Sequence, residues 1–210
     1  MGRADVSLID RMQGVGRVDN IGHDAEMNQA RELMIAQGAM RYTEMTRKGQ
    51  VYGTMATGAV AGLVVRPTTV AALEIFNNMA SKSLVINRIF TQWLVSTNVV
   101  EAAILYAMVT APKAAPTDAA LAVNSMSGKP AAVKHVLTAA SATVVDNGWF
   151  PWGESVYKGA GGVVPFGGIV AQIDGQLIVP PQCSLCLHVI SAVVGDTFTS
   201  GAIWNEEELT

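Results

Sequence analysis

The sequence predicts a mainly β protein: a jelly-roll-like antiparallel β-sandwich, preceded by an irregular N-terminal arm and one amphipathic α-helix. After Gly49, short segments rich in Val, Ile, Thr and aromatic residues alternate with turn residues, which is an all-β pattern. No convincing 3.6-residue period follows Gly49, so the crossover helices of a parallel sheet are not expected. We therefore divide the chain into an arm (1–23), a helix (24–49) and a β-sandwich domain (50–210).

The helix is predicted from apolar residues that recur at steps of three and four. Asp24 and Glu26 lie at its start and Arg47 and Lys48 at its end, which complements the helix dipole, and Gly49 can serve as the C-cap. A narrow, Met-rich stripe can pack on the protein's own body or on a neighbouring subunit. The stripe residues that we expect to contact a partner are Met27, Met34, Ile35, Tyr42 and Met45.

Nine strands are predicted in the body: Gln50–Val65, Thr68–Phe76, Ser83–Val95, Val100–Thr110, Ala131–Val145, Gly168–Ile173, Gln176–Val179, Leu185–Val194 and Thr197–Trp204. Turn residues separate them. The predicted turns and loops are the polar loop Asn77–Lys82, a type I′ hairpin at Asp174-Gly175, a tight turn at Gly195-Asp196, a long surface loop Ala111–Pro130, and a loop at Trp149–Trp152 that continues into Gly159–Gly168.

The segment Leu185–Val194 is apolar on both faces of the predicted strand. One face can fill the core of the domain. The other face then needs cover from another part of the chain or from a second subunit. Ile190 and Val194 on that second face are further candidates for subunit contact.

Charged residues are unevenly distributed. Residues 1–48 hold seven Lys/Arg and seven Asp/Glu, which is 14 of the 31 charged side chains, so 17 remain for the other 162 residues. A soluble monomer needs a largely polar surface, so this body is expected to bury surface against other chains. The alternative is a monomer whose surface is solvated by its many Thr and Ser side chains.

Composition argues against several classes of protein. A net charge of −3 gives no electrostatic footprint for nucleic acid. The longest run without Asp, Glu, Lys or Arg, Gly175–Gly195, contains two prolines and alternates like strands, so no membrane span is expected. The N-terminus lacks the apolar core of a secretory signal, and we expect synthesis in a cytoplasm.

No motif indicates an enzyme or a cofactor. His23, His135 and His188 lack the spacing of a metal site, and neither a P-loop nor a dinucleotide-binding fingerprint is present. Cys183 and Cys186 have CxxC spacing, but in a strand their sulfurs point to opposite faces, so we expect a reduced, buried pair. The alternative is a metal site built by Cys186 and His188 from three copies around an axis.

The aromatic cluster near residue 150 has two interpretations. Trp149, Trp152 and Tyr157 could stack on a sugar ring, whereas aromatic residues of this kind more often fill one end of a sandwich or an interface. The acidic run Glu206–Glu208 is expected to remain solvated.

Two stretches resemble small structural proteins of tailed-bacteriophage particles. The first is Pro67–Asn78 followed by Lys82–Ile86, and the second is Pro181–Trp204, which is similar to the closing strands of phage head-associated proteins and includes their Gly-Asp-Thr-Phe turn. The resemblance implies a β-sandwich mounted on a virion as a decoration, cement or spike subunit, often trimeric. It carries over no catalytic residue.

The resemblance implies a virion protein, and the absence of recognisable motifs leads us to expect that it is non-enzymatic and without cofactor. We expect a homo-oligomer, a trimer above other states, that contacts other phage head or particle proteins through charge-poor β faces and an N-terminal clasp. The alternative is a receptor- or carbohydrate-binding spike on the particle surface.

Overall fold

A computed structural model of the chain describes residues 42–56, 58–95, 100–111, 124–128, 135–158, 167–193 and 195–208. The chain divides into two units, Met1–Lys48 and Gly49–Thr210. The described residues are mainly β-strand and form two antiparallel sheets, with one short helix. The mainly β class predicted from the sequence is therefore confirmed.

Helix α1 (Thr43–Lys48) belongs to the first unit and has no buried residue. It ends before Gly49, whose φ of 75° is the left-handed conformation of a helix C-cap, as the sequence predicts. Glu44 accepts hydrogen bonds from Arg47 along the helix surface. Among the described residues the predicted amphipathic helix 24–49 is present only as Thr43–Lys48, and residues 24–41 lie outside them. Most of the predicted stripe lies outside the described residues.

The second unit contains twelve strands among the described residues. They are β1 (Val51–Met55), β2 (Val60–Ala61), β3 (Val70–Asn77), β4 (Ser83–Val95), β5 (Val100–Thr110), β6 (Asn124–Ser125), β7 (His135–Thr143), β8 (Phe150–Lys158), β9 (Gly168–Gln172), β10 (Ile178–Val179), β11 (Ser184–Ser191) and β12 (Thr197–Glu207).

The strands pair in a nested order. The first long strand pairs with the last, β1 with β12; then β3 pairs with β11, β4 with both β9 and β10, and β5 with β8, all antiparallel. Successive nested pairs alternate between a seven-stranded sheet (β10-β4-β12-β1-β6, with β2 and β9) and a five-stranded sheet (β7-β3-β11-β5-β8). The β4–β12 and β5–β11 ladders join the pairs within each sheet.

One apolar core takes side chains from both sheets. Leu105 and Leu187 of the five-stranded sheet lie in the same cluster as Ile86, Trp93 and Trp204 of the seven-stranded sheet, all almost fully buried. In β4 the inward residues are the apolar ones of an alternating pattern, as expected for a half-buried strand.

The bounds of β4 and β5 are those predicted. The single strand predicted over Gln50–Val65 is instead two strands, β1 and β2, so that prediction is wrong in detail. The interruption lies between Met55 and Val60, and directly after β2 the Gly62 N–H donates to the carbonyl of Asp196. A Cβ on Gly62 would lie 2.8 Å from side-chain atoms of Ser191 and Phe198, so this close approach requires glycine. The predicted loop Ala111–Pro130 also contains the short strand β6.

The loop predicted at Trp149–Trp152 is wrong, because β8 begins at Phe150. Strand β8 lies at the edge of its sheet, and its register against β5 shifts between Leu105 and Tyr106, opposite Pro151. An edge strand with an irregular register tolerates a proline that cannot donate a hydrogen bond. The segment Trp149–Trp152 therefore contains the start of a strand although its proline suggests a loop.

The hairpin predicted at Asp174-Gly175 is also wrong. The two residues do turn, with φ values of 48° and 85°, but β9 and β10 do not pair with each other. Both strands pair with β4, one after the other, and the turn bulges out between them. The carbonyl of Asn87 accepts from the N–H groups of Ile173 and Asp174, at 2.9 and 3.0 Å, and so fixes the base of the bulge.

Candidate functional site

The residues predicted to contact a partner fall into three groups. Met27, Met34, Ile35 and Val194 lie outside the described residues. Tyr42 and Met45 are half-buried in the first unit. Ile190 is half-buried in β11, where Leu63 forms a parallel bridge to it and brings the residues between β2 and β3 beside that strand.

The residues predicted to stack on sugar do not form one platform. Trp149 is 4% exposed, and its Nε1–H donates to the carbonyl of Thr68 at 2.9 Å. Trp152 is half-buried and packs against the main core. The two rings therefore belong to different clusters, and burial leaves the Trp149 ring unable to stack on a ligand. The side chain of Tyr157 lies outside the described residues.

The outer face of the five-stranded sheet carries a second apolar cluster. It includes Met108 on β5 and Cys186 on β11, both at most 1% exposed, together with Trp149. Cys183 belongs to the main core instead, so the two sulfurs do lie on opposite faces, and they are not joined by a disulfide. Burial raises the pKa of the Cys183 thiol, which favours its protonated form.

Polar side chains are buried on this same face. The Ser184 hydroxyl donates to the Glu74 carboxylate at 2.6 Å, and Glu74 is 1% exposed. The Val189 N–H lies 2.8 Å from Nδ1 of His188, and burial lowers the pKa of that histidine. Among the described residues no three His, Cys, Asp or Glu side chains are grouped as metal ligands. The face is thus a packed second core in which polar groups are individually satisfied.

Four strongly exposed large apolar side chains of the body form a second feature, which we call the apolar rim. It consists of Val64, Val65, Val145 and Phe150, which are 52%, 66%, 61% and 64% exposed. Most large apolar side chains of a folded chain are buried, so these four are noteworthy. Val64 and Val65 lie between β2 and β3, Val145 lies between β7 and β8, and Phe150 begins β8.

An ion pair holds the rim together. Arg66, next to Val65, donates to both carboxylate oxygens of Asp146, next to Val145, at 3.0 and 3.2 Å. This hydrogen bonding holds the pKa of Asp146 below its usual value. The Gly148 N–H also donates to Asp146, at 3.0 Å. The two charges at the rim neutralise each other, so the rim offers apolar contact without net charge.

A third feature lies on the exposed outer face of the seven-stranded sheet, and we call it the arginine groove. Three residues of β4, namely Arg88, Phe90 and Gln92, point outward here. In register, Arg88 lies opposite Gln172 of β9 and Phe90 opposite Val170. The depression has a volume of about 310 Å³ and is lined by Arg88, Phe90, Thr91, Gln92, Gly167, Gly168, Val170 and Ile203.

The groove orients its arginine without neutralising it. The Nε–H of Arg88 donates to Oε1 of Gln172 at 3.2 Å. Among the described residues no carboxylate lies within ion-pair distance of Arg88. Two other cations of the body are paired: Arg66 with Asp146, and Lys82 with Glu206. The terminal nitrogens of the Arg88 guanidinium therefore remain available to a ligand.

A glycine beside Phe90 flattens the groove. Gly201 of β12 lies opposite Phe90, and a Cβ there would be only 2.4 Å from the aromatic ring. The ring can therefore lie down over Gly201 instead of standing away from the sheet. Sequence patterns did not predict this site. Its available signal was the outward triplet of arginine, phenylalanine and glutamine on a strand whose other face is apolar.

No family model matches this sequence, no curated protein matches it, and no solved structure matches its fold. The described residues contain no helix with the length and apolar character that crossing a bilayer requires.

Proposed function

We propose that this protein is a non-enzymatic structural subunit of a tailed-bacteriophage particle, a capsid-associated decoration or cement protein that assembles as a homotrimer. The observation that carries the proposal is the apolar rim, with Val65 and Phe150 about two thirds exposed. When a second chain covers such a surface, the free energy of the assembly falls by about 25 cal/mol per Å² of apolar area buried. In a particle this gain is repeated over many copies.

We also propose that the body is a jelly-roll sandwich. The nested pairing of β1 with β12, β3 with β11, β4 with β9 and β10, and β5 with β8 is the order expected when one long antiparallel ribbon is rolled into two facing sheets. Jelly rolls are common in viral capsid and lectin domains. The topology therefore supports a virion role and equally a glycan-binding role.

The charge distribution supports assembly over a monomeric state. Only 17 charged side chains serve the 162 residues after Lys48, and the pair at the rim neutralises itself. In this proposal the first unit acts as a clasp on neighbouring subunits, and the cost of ordering it is offset by its contacts in the particle.

The proposal is tested on the particle itself. Antibodies to the purified protein should label intact virions in immunogold electron microscopy, because the subunit sits on the outer shell. Deletion of residues 1–24 should abolish incorporation while the body stays folded by circular dichroism. Unlabelled virions, or full incorporation of the truncated protein, would contradict the virion role and the clasp respectively.

The second candidate function is a receptor- or carbohydrate-binding module. The arginine groove favours it, because an aromatic ring flanked by planar polar side chains can hold a sugar face and its hydroxyls. Loss of glycan-array binding on Arg88→Gln, with the oligomer intact, would support this function. A protein that binds no glycan would exclude it.

A further inference from the structure

We propose that the arginine groove binds the acidic sugar residues of a polyuronate chain, with Arg88 on a carboxylate, Phe90 under a sugar ring and Gln92 on hydroxyl groups. This inference rests on the second candidate function and is independent of the virion role. It names the ligand class that the groove fits.

The charge of the groove points to an anion. A guanidinium has five N–H donors, and Gln172 occupies the one on Nε of Arg88. The four donors on the terminal nitrogens can bind a carboxylate through two parallel hydrogen bonds, a geometry that arginine favours over lysine. No carboxylate among the described residues competes for this position, so an incoming one would not have to displace an ion pair.

The shape of the groove points to a ring. Phe90 lies over Gly201, and Gly168 stands opposite Gln92 in the β4–β9 register. Gly201 leaves room for the aromatic ring, and Gly168 leaves the β4 backbone at Thr91 and Gln92 uncovered by a side chain. A shallow, flat floor suits a sugar ring better than it suits a side chain inserted end-on. The C–H face of the sugar can lie on the aromatic surface.

The spacing points to more than one sugar unit. Arg88, Phe90 and Gln92 occupy alternate positions of one strand, so the Cα atoms of Arg88 and Gln92 are about 14 Å apart at roughly 3.4 Å per residue. One ring on Phe90 cannot reach both ends. The Gln92 amide has a donor and an acceptor for the hydroxyls of the next unit. A linear acidic oligosaccharide therefore fits the length of the site.

The test is an NMR titration of the purified, isotope-labelled protein with trigalacturonate. We expect saturable shifts of the β4 and β9 amides, with binding at least tenfold weaker for Arg88→Gln and weaker at high salt. The control is Lys82→Gln, which removes a cation that is ion-paired with Glu206 outside both the groove and the apolar rim and should leave binding unchanged. Phe90→Leu keeps the bulk of the side chain and should weaken binding several-fold through loss of the aromatic face.

Three ligands decide the chemical class. Maltotriose has the rings without carboxylates, acetate has a carboxylate without a ring, and a triglutamate peptide has three carboxylates on a flexible chain. Trigalacturonate should bind more tightly than all three. Equal binding of acetate or triglutamate would overturn the sugar assignment, and equal binding of maltotriose would overturn the acidic one while leaving carbohydrate binding intact. Absence of saturable shifts with every ligand would overturn the inference, whereas the binding function itself would be excluded only by a glycan array on which the protein binds nothing.

Discussion

The two sheets differ in what their outer faces do. On the five-stranded sheet the outer face is a second core, in which Met108, Cys186 and His188 are at most 2% exposed. On the seven-stranded sheet the outer face is open along β4 and β9, where Arg88, Gln92 and Val170 are exposed. Both sheets share one inner core, so the difference lies only in their outward residues.

This difference shows how the alternation of polar and apolar residues in a strand indicates whether one or both of its faces are buried. β11 reads as apolar on both faces, and seven of its eight residues are buried. β4 alternates, with Arg88 and Gln92 exposed between buried neighbours. A strand without polar alternation therefore needs cover on both sides, whereas an alternating strand keeps one face for solvent or for a ligand.

The largest expected effects test whether the outer cluster of the five-stranded sheet contributes as much to the free energy of unfolding as the inner core does. Leu187→Ala on the inner face and Met108→Ala on the outer face should each lower the free energy of unfolding by about 2–5 kcal/mol, because both side chains leave cavities in packed surroundings. Val170→Ala, on the open face of the other sheet, is the control and should change it by less than about 0.5 kcal/mol. Urea denaturation measures the free energy of unfolding of all three variants. If Met108→Ala lowers it as little as Val170→Ala does, the outer face of the five-stranded sheet is not a core.

The next effect concerns the buried polar pair on the outer face of the five-stranded sheet. Ser184→Ala removes the 2.6 Å hydrogen bond to Glu74 and should cost about 1–3 kcal/mol, because the carboxylate loses a donor where water is excluded. Ser81→Ala, at an exposed loop position, controls for the loss of a hydroxyl. If the two variants unfold at the same urea concentration, this face is hydrated and not a core.

The smallest effect is a pH dependence from His188. Burial lowers its pKa in the folded state, so as pH falls below about 6.5 the unfolded chain binds a proton that the folded chain does not. Stability should therefore be complete above pH 7 and should fall from there toward pH 5.5, by less than about 1.4 kcal/mol per pH unit, the limit for one proton.

Comparison with His188→Gln isolates this contribution, since the variant should be flatter over that interval. Asp146 contributes only at more acidic pH, because its folded-state pKa lies below the ordinary value of a carboxyl. A His188→Gln variant with the same pH profile as the wild type would show that the histidine is not kept neutral by burial.

Much of this fold follows from local pattern. β4, β5 and β11 are predictable because alternating or continuously apolar runs are bounded by turn residues. β8 is not, because Pro151 is acceptable only at an edge position that the local sequence does not reveal. Asp174-Gly175 does form a turn, as the dipeptide predicts. Whether that turn closes a hairpin or forms a bulge depends on β4, which pairs with both flanking strands.

The candidate sites depend still more on tertiary structure. The arginine groove unites Arg88 and Phe90 with Gln172 and Gly201, residues about a hundred positions away, through the registers of two ladders. The apolar rim likewise depends on the ion pair between Arg66 and Asp146, which lie 80 residues apart. Sequence periodicity reports which face of a strand is apolar, but not which strand lies beside it.

The most direct test of the central claim, that the body associates through its apolar rim, is multi-angle light scattering of the purified protein over a range of concentrations. The account predicts a trimer of the 22.1 kDa chain. It also predicts that a Val65→Asp/Phe150→Asp double variant, still folded by circular dichroism, is monomeric. A wild-type protein that remains at 22.1 kDa at every concentration, or a double variant that is still trimeric, would contradict it.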